Sequence, residues 1–183
     1  TSVATGACVN YDFSSSGEAG IDSHILSTWT GGFSIIRALN GTVVVNGEYT
    51  SMGTGTGFKA NFVWGGVYSD IAVSGFSTNL SFIDCVNFSI DKVFTTKCNI
   101  GLYMSKNTYS PAIATSITNM TASQCKSWGV KSINGSFEID KSGVIDCGYM
   151  GTTSGGILYQ ATALEFLIKG IDATNVHFQN NAG

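Results

Sequence analysis

Glycine recurs at positions 101, 129, 156 and 183, each time just ahead of a short apolar stretch or the chain end, at spacings of 28, 27 and 27 residues. A recurrence on that scale marks a chain built from stacked, similar turns. Other anchors recur in step with it. Phe88-Ser89-Ile90 is followed by Val93-Phe94, Cys98 and Gly101-Leu102-Tyr103-Met104. Ser116-Ile117 is followed by Met120, Cys125 and Gly129-Val130. Phe137-Glu138-Ile139 is followed by Val144, Cys147 and Gly156-Ile157, and Phe166-Leu167-Ile168 by Val176-His177-Phe178 and Gly183. Each set supplies about three short strands whose alternate residues enter a narrow core, with equivalent side chains stacked about 4.8 Å apart. The expectation is an all-β, single-stranded parallel β-solenoid. An antiparallel sandwich, the competing architecture, calls for hairpin turns every ~8–12 residues instead.

Composition fits a thin stack. Only 11% of the 183 residues are charged, against roughly 25% in an ordinary domain, and 43% are hydrophobic. There are 23 glycines for tight corners and a single proline, Pro111. Central strands donate on both sides and exclude proline. Nine basic residues in a chain of net charge −3 argue against phosphate-led nucleic-acid binding. The chain has no apolar run of the roughly 18 residues a membrane-spanning helix needs, so no membrane insertion is expected. Its apolar excess over so much solenoid surface calls for burial in an oligomer.

Five cysteines are too few for a disulfide scaffold and too irregular for a zinc site. Cys98, Cys125 and Cys147 share one position of the repeat and read as stacked, buried free thiols of a protein folded in a reducing compartment. A catalytic thiol needs a histidine partner, and neither His24 nor His177 sits in a matching context; His177 reads as structural. Residues 53–57, Gly-Thr-Gly-Thr-Gly, lack the Lys-Ser/Thr and helix of a phosphate loop and read as a turn. Residues 21–29 put Ile21, Ile25, Leu26 and Trp29 on one helical face, capped by Asp22 or Ser23. The chain opens Thr1-Ser2-Val3 without Met and shows no secretory signal. It reads as a trimmed fragment or cleaved product, the alternative being a complete small protein.

Residues 21–49 resemble the opening of pectate-lyase-like right-handed β-helices, where a capping helix precedes Ala-Leu-x-Gly-Thr-Val-x-x-Pro-x-Gly-x-Tyr. Here that segment reads Ala38-Leu39-Asn40-Gly41-Thr42-Val43-Val44-Val45-Asn46-Gly47-Glu48-Tyr49. It departs at Asn46-Gly47-Glu48, and the Asp-Asp-Thr leading the family's helix is absent. The resemblance implies a right-handed parallel β-helix with a short N-terminal capping helix. Residues 1–40 would form the lead-in and cap, and residues 41–183 a helix truncated at its C-terminus. The low-charge, Ser/Thr/Asn-rich variety with free cysteines resembles phage tailspikes and tail appendages. That implies a virion protein folded in the host cytoplasm, a homotrimer or larger virion assembly, and bacterial surface polysaccharide as partner.

Fold alone does not assign chemistry. Glycoside hydrolysis needs two carboxyl groups, roughly 5–5.5 Å apart for retention and roughly 6.5–9.5 Å for inversion. Ile90-Asp91-Lys92 aligns with Ile139-Asp140-Lys141, and Ile117-Thr118-Asn119 lies between. With the isoleucines inward, Asp91 and Asp140 face outward two turns apart, and Glu138 shares the face of Asp140. Asp91, Glu138 and Asp140 are the candidate catalytic residues of a depolymerase, the alternative function. On the bland reading they form a solvated surface with Lys92 and Lys141. Asp84 and Asp146, in repeated Ile-Asp-Cys patterns, read as corner residues. A lyase lacks its base and calcium-binding aspartates, and no metal or cofactor is implied. Glycan binding without cleavage needs aromatic platforms and neutral polar groups. Tyr103, Tyr109, Trp128, Tyr149 and Tyr159 are its candidates. No Thr-x-Thr column recurs, which weakens an ice-binding reading.

Overall fold

The computed structural model describes residues 7–12, 43–46, 55–61, 67–85, 87–107, 115–149, 153–162 and 170–181. The expected helix over residues 21–29, Tyr109, Pro111, Gly183 and the anchors Phe166-Leu167-Ile168 lie outside them. The described chain forms β1 Ala7–Asp12, β2 Val43–Asn46, β3 Thr56–Asn61, β4 Val67–Ser74, β5 Thr78–Ile83, β6 Ser89–Ser105 and β7 Thr115–Thr118. It continues through β8 Thr121–Ile133, β9 Phe137–Asp140, β10 Gly143–Ile145, β11 Gly155–Gln160, β12 Ile171–Thr174 and β13 His177–Gln179. Every pairing is parallel and joins strands one turn apart. The protein is an all-β solenoid.

The strands stack in three columns. Column A runs β1, β3, β5, the end of β6, the end of β8 and β11. Column B runs from the start of β4 through the start of β6 to β7, β9 and β12. Column C runs β2, the end of β4, the middle of β6, the start of β8, β10 and β13. β6 carries one complete rung through all three columns. β1 lies inside the stretch expected as lead-in, yet pairs with β3 as the first strand of column A.

Corners are made by left-handed residues. Asp70, Lys92, Asn119, Lys141 and Asn175 each have φ near +50°, and five positions after each stands another residue with positive φ: Gly75, Lys97, Gln124, Asp146 and Asn180. Column C is the segment held between these two corners. The rungs measured this way are 22, 27, 22 and 34 residues long, so a 22-residue turn is the minimal unit and longer ones carry insertions. These lie between β6 and β7, between β10 and β11, and between β11 and β12. Such corner φ values are tolerated mostly by Gly, Asn and Asp; at Lys92, Lys97, Gln124 and Lys141 the surrounding strands impose them. Asp84 and Asp146, read as corner residues, do have positive φ.

Strand alternation fills the interior. Leu80, Leu102 and Val130 stack in column A, Tyr68, Ile90, Ile117 and Ile139 in column B, and Val73, Thr95, Ala122 and Val144 in column C, all 0–1% exposed. Toward β3, aromatics replace aliphatics. Phe82 stacks on Phe88 at 4.6 Å and meets Tyr68 edge-on at 4.8 Å, a favoured ring geometry. The cysteine column is real: Cys98, Cys125 and Cys147 are fully buried and Cys98 Sγ lies 3.2 Å from Cys125 Sγ.

The glycine recurrence has a steric cause. Gly101, Gly129 and Gly156 occupy successive rungs of column A. A Cβ on Gly129 would stand 2.5 Å from Val144 Cγ1 and 2.9 Å from the Gly156 carbonyl oxygen. The column extends back to Gly57, inside β3 rather than in a turn, and is interrupted at Asn79. Asn79 fits because its amide replaces backbone bonds: Nδ2 donates to the Val73 and Thr96 carbonyls and to Thr95 Oγ1, and Oδ1 accepts from Phe76 N–H. The last rung departs from the expected alignment: Ile171–Thr174, not Phe166-Leu167-Ile168, continues column B over β9.

Candidate functional site

The outward row of column B carries the candidate carboxylates. Asp91, Thr118, Asp140 and Thr174 lie in register on successive rungs, one residue beyond the inward Ile90, Ile117, Ile139 and Ala173. Each aspartate accepts from the following rung. Thr118 Oγ1 and Asn119 Nδ2 donate to Asp91 Oδ1 at 2.9 and 2.8 Å. Thr174 Oγ1 and Asn175 Nδ2 donate to Asp140 Oδ1 at 3.0 and 2.9 Å. Asp-Lys rungs thus alternate with Thr-Asn rungs, acceptor under donor.

These bonds favour the ionised form of both carboxyl groups. The Asn119 hydrogen bond foremost, with help from Thr118 and Lys92, holds the Asp91 carboxyl below its ordinary value despite the opposing effect of burial. Asn175 and then Thr174 do the same for Asp140. The Asp140–Lys141 pair, at 3.9 Å and largely exposed, adds little. Asp91 and Asp140 stand two rungs apart, about 9.6 Å at parallel-strand spacing, the upper edge of the inverting range. A hydrolase needs one carboxyl group that keeps its proton near neutrality, and the ladder pushes both aspartates the other way. Glu138 is exposed, in register with Ser116 and Asp172 and on the outward side of Asp140.

The aromatic candidates separate into groups. Tyr103 is half-buried on β6, opposite the inward Leu102 and Met104, with Ser81 and Lys131 beside it on the neighbouring rungs. Trp128 is half-buried at the start of the next column A strand, flanked by Ile100 and Gly155. Gly129, which follows it, turns its missing side chain to the core. Tyr103 and Trp128 lie on neighbouring rungs of column A, three register positions apart, since Trp128 pairs with Ile100 and Tyr103 with Lys131. Tyr149 is 51% exposed beyond Gly148, at the corner that leads into column A. Tyr159 falls instead in the inward row of Phe82, Met104 and Ser132, half-buried at the end of the stack.

Three features escaped sequence reading. Phe94 is 45% exposed on the outer face of column C, between Ala72 and Thr121; alternation with the buried Val93 was its only signal. Lys106 is 7% exposed, and among the described residues its Nζ has no hydrogen-bond partner. Burial lowers its pKa foremost, with Asp84 and Cys85 opposing. Asn134 bridges rungs, donating to the Lys106 carbonyl and accepting from Thr162 N–H and Oγ1. His177, read as structural, is exposed and lies 3.3 Å from Gln179 Oε1. Among the described residues no group of three or more His, Cys, Asp or Glu is placed to hold a metal ion, and no helix is long and apolar enough to cross a membrane. The chain matches no family model, no curated protein and no solved structure.

Proposed function

We propose that the chain is a virion-associated, right-handed β-helical protein of the tailspike or tail-appendage type that recognises bacterial surface polysaccharide without cutting it, and that it works as a homotrimer or larger assembly. The resemblance of residues 38–49 supports the right-handed, pectate-lyase-like assignment, and the parallel solenoid is consistent with it. The observation that carries recognition is that Tyr103 and Trp128, both half-buried, lie on neighbouring rungs of column A, three register positions apart. Such rings offer stacking surface to sugar faces, with Lys131 beside Tyr103 on the next rung as a hydrogen-bonding group. Binding is favoured over cleavage because Asp91 and Asp140 are committed as ionised acceptors to the ladder. Val67 and Phe94, 38% and 45% exposed, are apolar surface that an assembly would cover.

An array of purified bacterial surface polysaccharides tests this reading. Wild-type protein is expected to retain a subset of them, and Trp128→Ala and Tyr103→Ala each to weaken retention about three- to tenfold, as loss of one stacking contact implies. Retention unchanged in both variants, or none by wild type, overturns it. Release of new reducing ends from a retained polymer would transfer the reading to the depolymerase alternative. A monomer by light scattering would remove the assembly.

A further inference from the structure

Insertions spare one side of the solenoid. From the outward residue that opens column B to the second corner, the chain runs through residues 67–75, 89–97, 116–124, 138–146 and 172–180. Each of these segments has nine residues, whereas whole rungs vary from 22 to 34. The insertions lie between columns A and B or between columns C and A. Columns B and C therefore meet at a corner without insertions and present two even outer faces. Their outward rows are graded in the same sense along the stack. Column B carries Val67, Ser89, Ser116, Glu138 and Asp172. Column C carries Ala72, Phe94, Thr121, Gly143 and His177. Val67 and Phe94 are exposed apolar residues toward one end, and Glu138, Asp172 and His177 are exposed polar residues toward the other.

We infer that these faces join copies of this chain, column B of one copy against column C of the next, with the stacks parallel and their rungs level. This contact presupposes the assembly proposed above and names the surfaces that make it. Level rungs set Val67 one rung, about 4.8 Å, below Phe94 of the next copy. They bring the hydroxyls of Ser116 and Thr121 to one height, and Glu138 and Asp172 beside His177, whose imidazole can donate to them. Inverting one copy would put Phe94 opposite Glu138, an apolar ring against a charge. Column B against itself would set carboxylates on carboxylates, and column C against itself would leave Val67 uncovered. A contact between two different faces is heterologous and closes by rotation into a ring. It leaves column A, with Tyr103 and Trp128, out of the contact.

The test co-expresses two differently tagged chains, one carrying Val67→Cys and the other Phe94→Cys, and treats the product with a short bismaleimide. The cross-link should join the two different chains, and neither variant expressed alone should exceed the background of wild type treated alike. Phe94→Glu should weaken association at least about tenfold across a concentration series in light scattering, because the contact would bury an unpaired charge. Its ring is 45% exposed in the single chain, so the fold is kept. Adding Val67→Lys to the same chain should restore association, since the two new charges meet only between column B and column C. An assembled protein without the mixed cross-link, a cross-link in either variant alone, association unchanged by Phe94→Glu, or no rescue by Val67→Lys overturns the inference and leaves the assembly standing. A monomeric wild type overturns both.

Discussion

Gly101 and Gly129 meet across adjacent rungs so closely that a Cβ on Gly101 would lie 2.5 Å from the Gly129 carbonyl oxygen. Because that atom is backbone, relief requires the rungs to separate. Gly101→Ala and Gly129→Ala are therefore expected to destabilise the fold by about 1–3 kcal/mol or more. Gly143→Ala is the control. Its Cβ would stand 3.6 Å from the nearest side-chain atom, and a change within about 0.5 kcal/mol is expected. Urea unfolding of the three variants checks the contrast.

Asn79 occupies the same column by substituting its amide for backbone partners. Asn79→Ala would leave the Phe76 N–H and the Val73 and Thr96 carbonyls without it, in a site with no exposure. A loss of about 1–3 kcal/mol for each group left unsatisfied is the expected scale. Asn79→Asp should be worse than its size suggests, because it turns the donor into a buried charge facing carbonyl oxygens. Thermal unfolding of both variants reads this out.

The sequence shows the columns wherever one residue type must recur. Gly101, Gly129 and Gly156, the three cysteines, and the Ile-Asp pairs at 90 and 139 all fall where their recurrence places them. The corners are hidden because left-handed φ is filled by Asp, Lys, Asn, Gln and Gly in turn; neighbouring strands dictate the geometry and leave identity free. Asn79 conceals the glycine column's earlier members, and insertions turn a 22-residue unit into a recurrence near 27. The 34-residue last rung explains why residues 166–168 align wrongly. Of the site, the Asp91–Thr118–Asp140 row is legible from alternation, but its hydrogen bonds depend on side-chain directions that alternation does not give.

The thiol column should be chemically silent. Cys125 feels most strongly a hydrogen bond with Cys147 that favours its thiolate, but the bond with Cys98 and burial outweigh it, so its pKa is raised. The bond with Cys125, then burial, raise Cys147 well above an ordinary thiol. The thiolate is the reactive form. At neutral pH, N-ethylmaleimide is therefore expected to leave Cys85, Cys98, Cys125 and Cys147 unmodified in native protein and to label them in urea. Mass spectrometry of digests taken across the unfolding transition checks it; labelling of Cys125 before unfolding would contradict the packing.

The aspartate ladder gives the fold an acid limit. Asp91 and Asp140 have folded-state pKa values below those of free carboxyl groups. The unfolded chain therefore takes up protons first as pH falls. The stabilisation is fully present above the unfolded value near ~4 and is lost as pH drops through the lower folded values. Asp91→Asn and Asp140→Asn remove the titrating group while keeping an acceptor oxygen for Thr118 and Asn119, or for Thr174 and Asn175. Each variant should be less stable than wild type at pH 7, because a neutral acceptor is weaker than a carboxylate. The difference should shrink steadily below about pH 4, as the wild-type carboxyl groups take up protons. Thermal unfolding of wild type and both variants from neutral pH downward measures it. A gap that stays constant with pH would show that the two carboxylates do not support the corners through their charge.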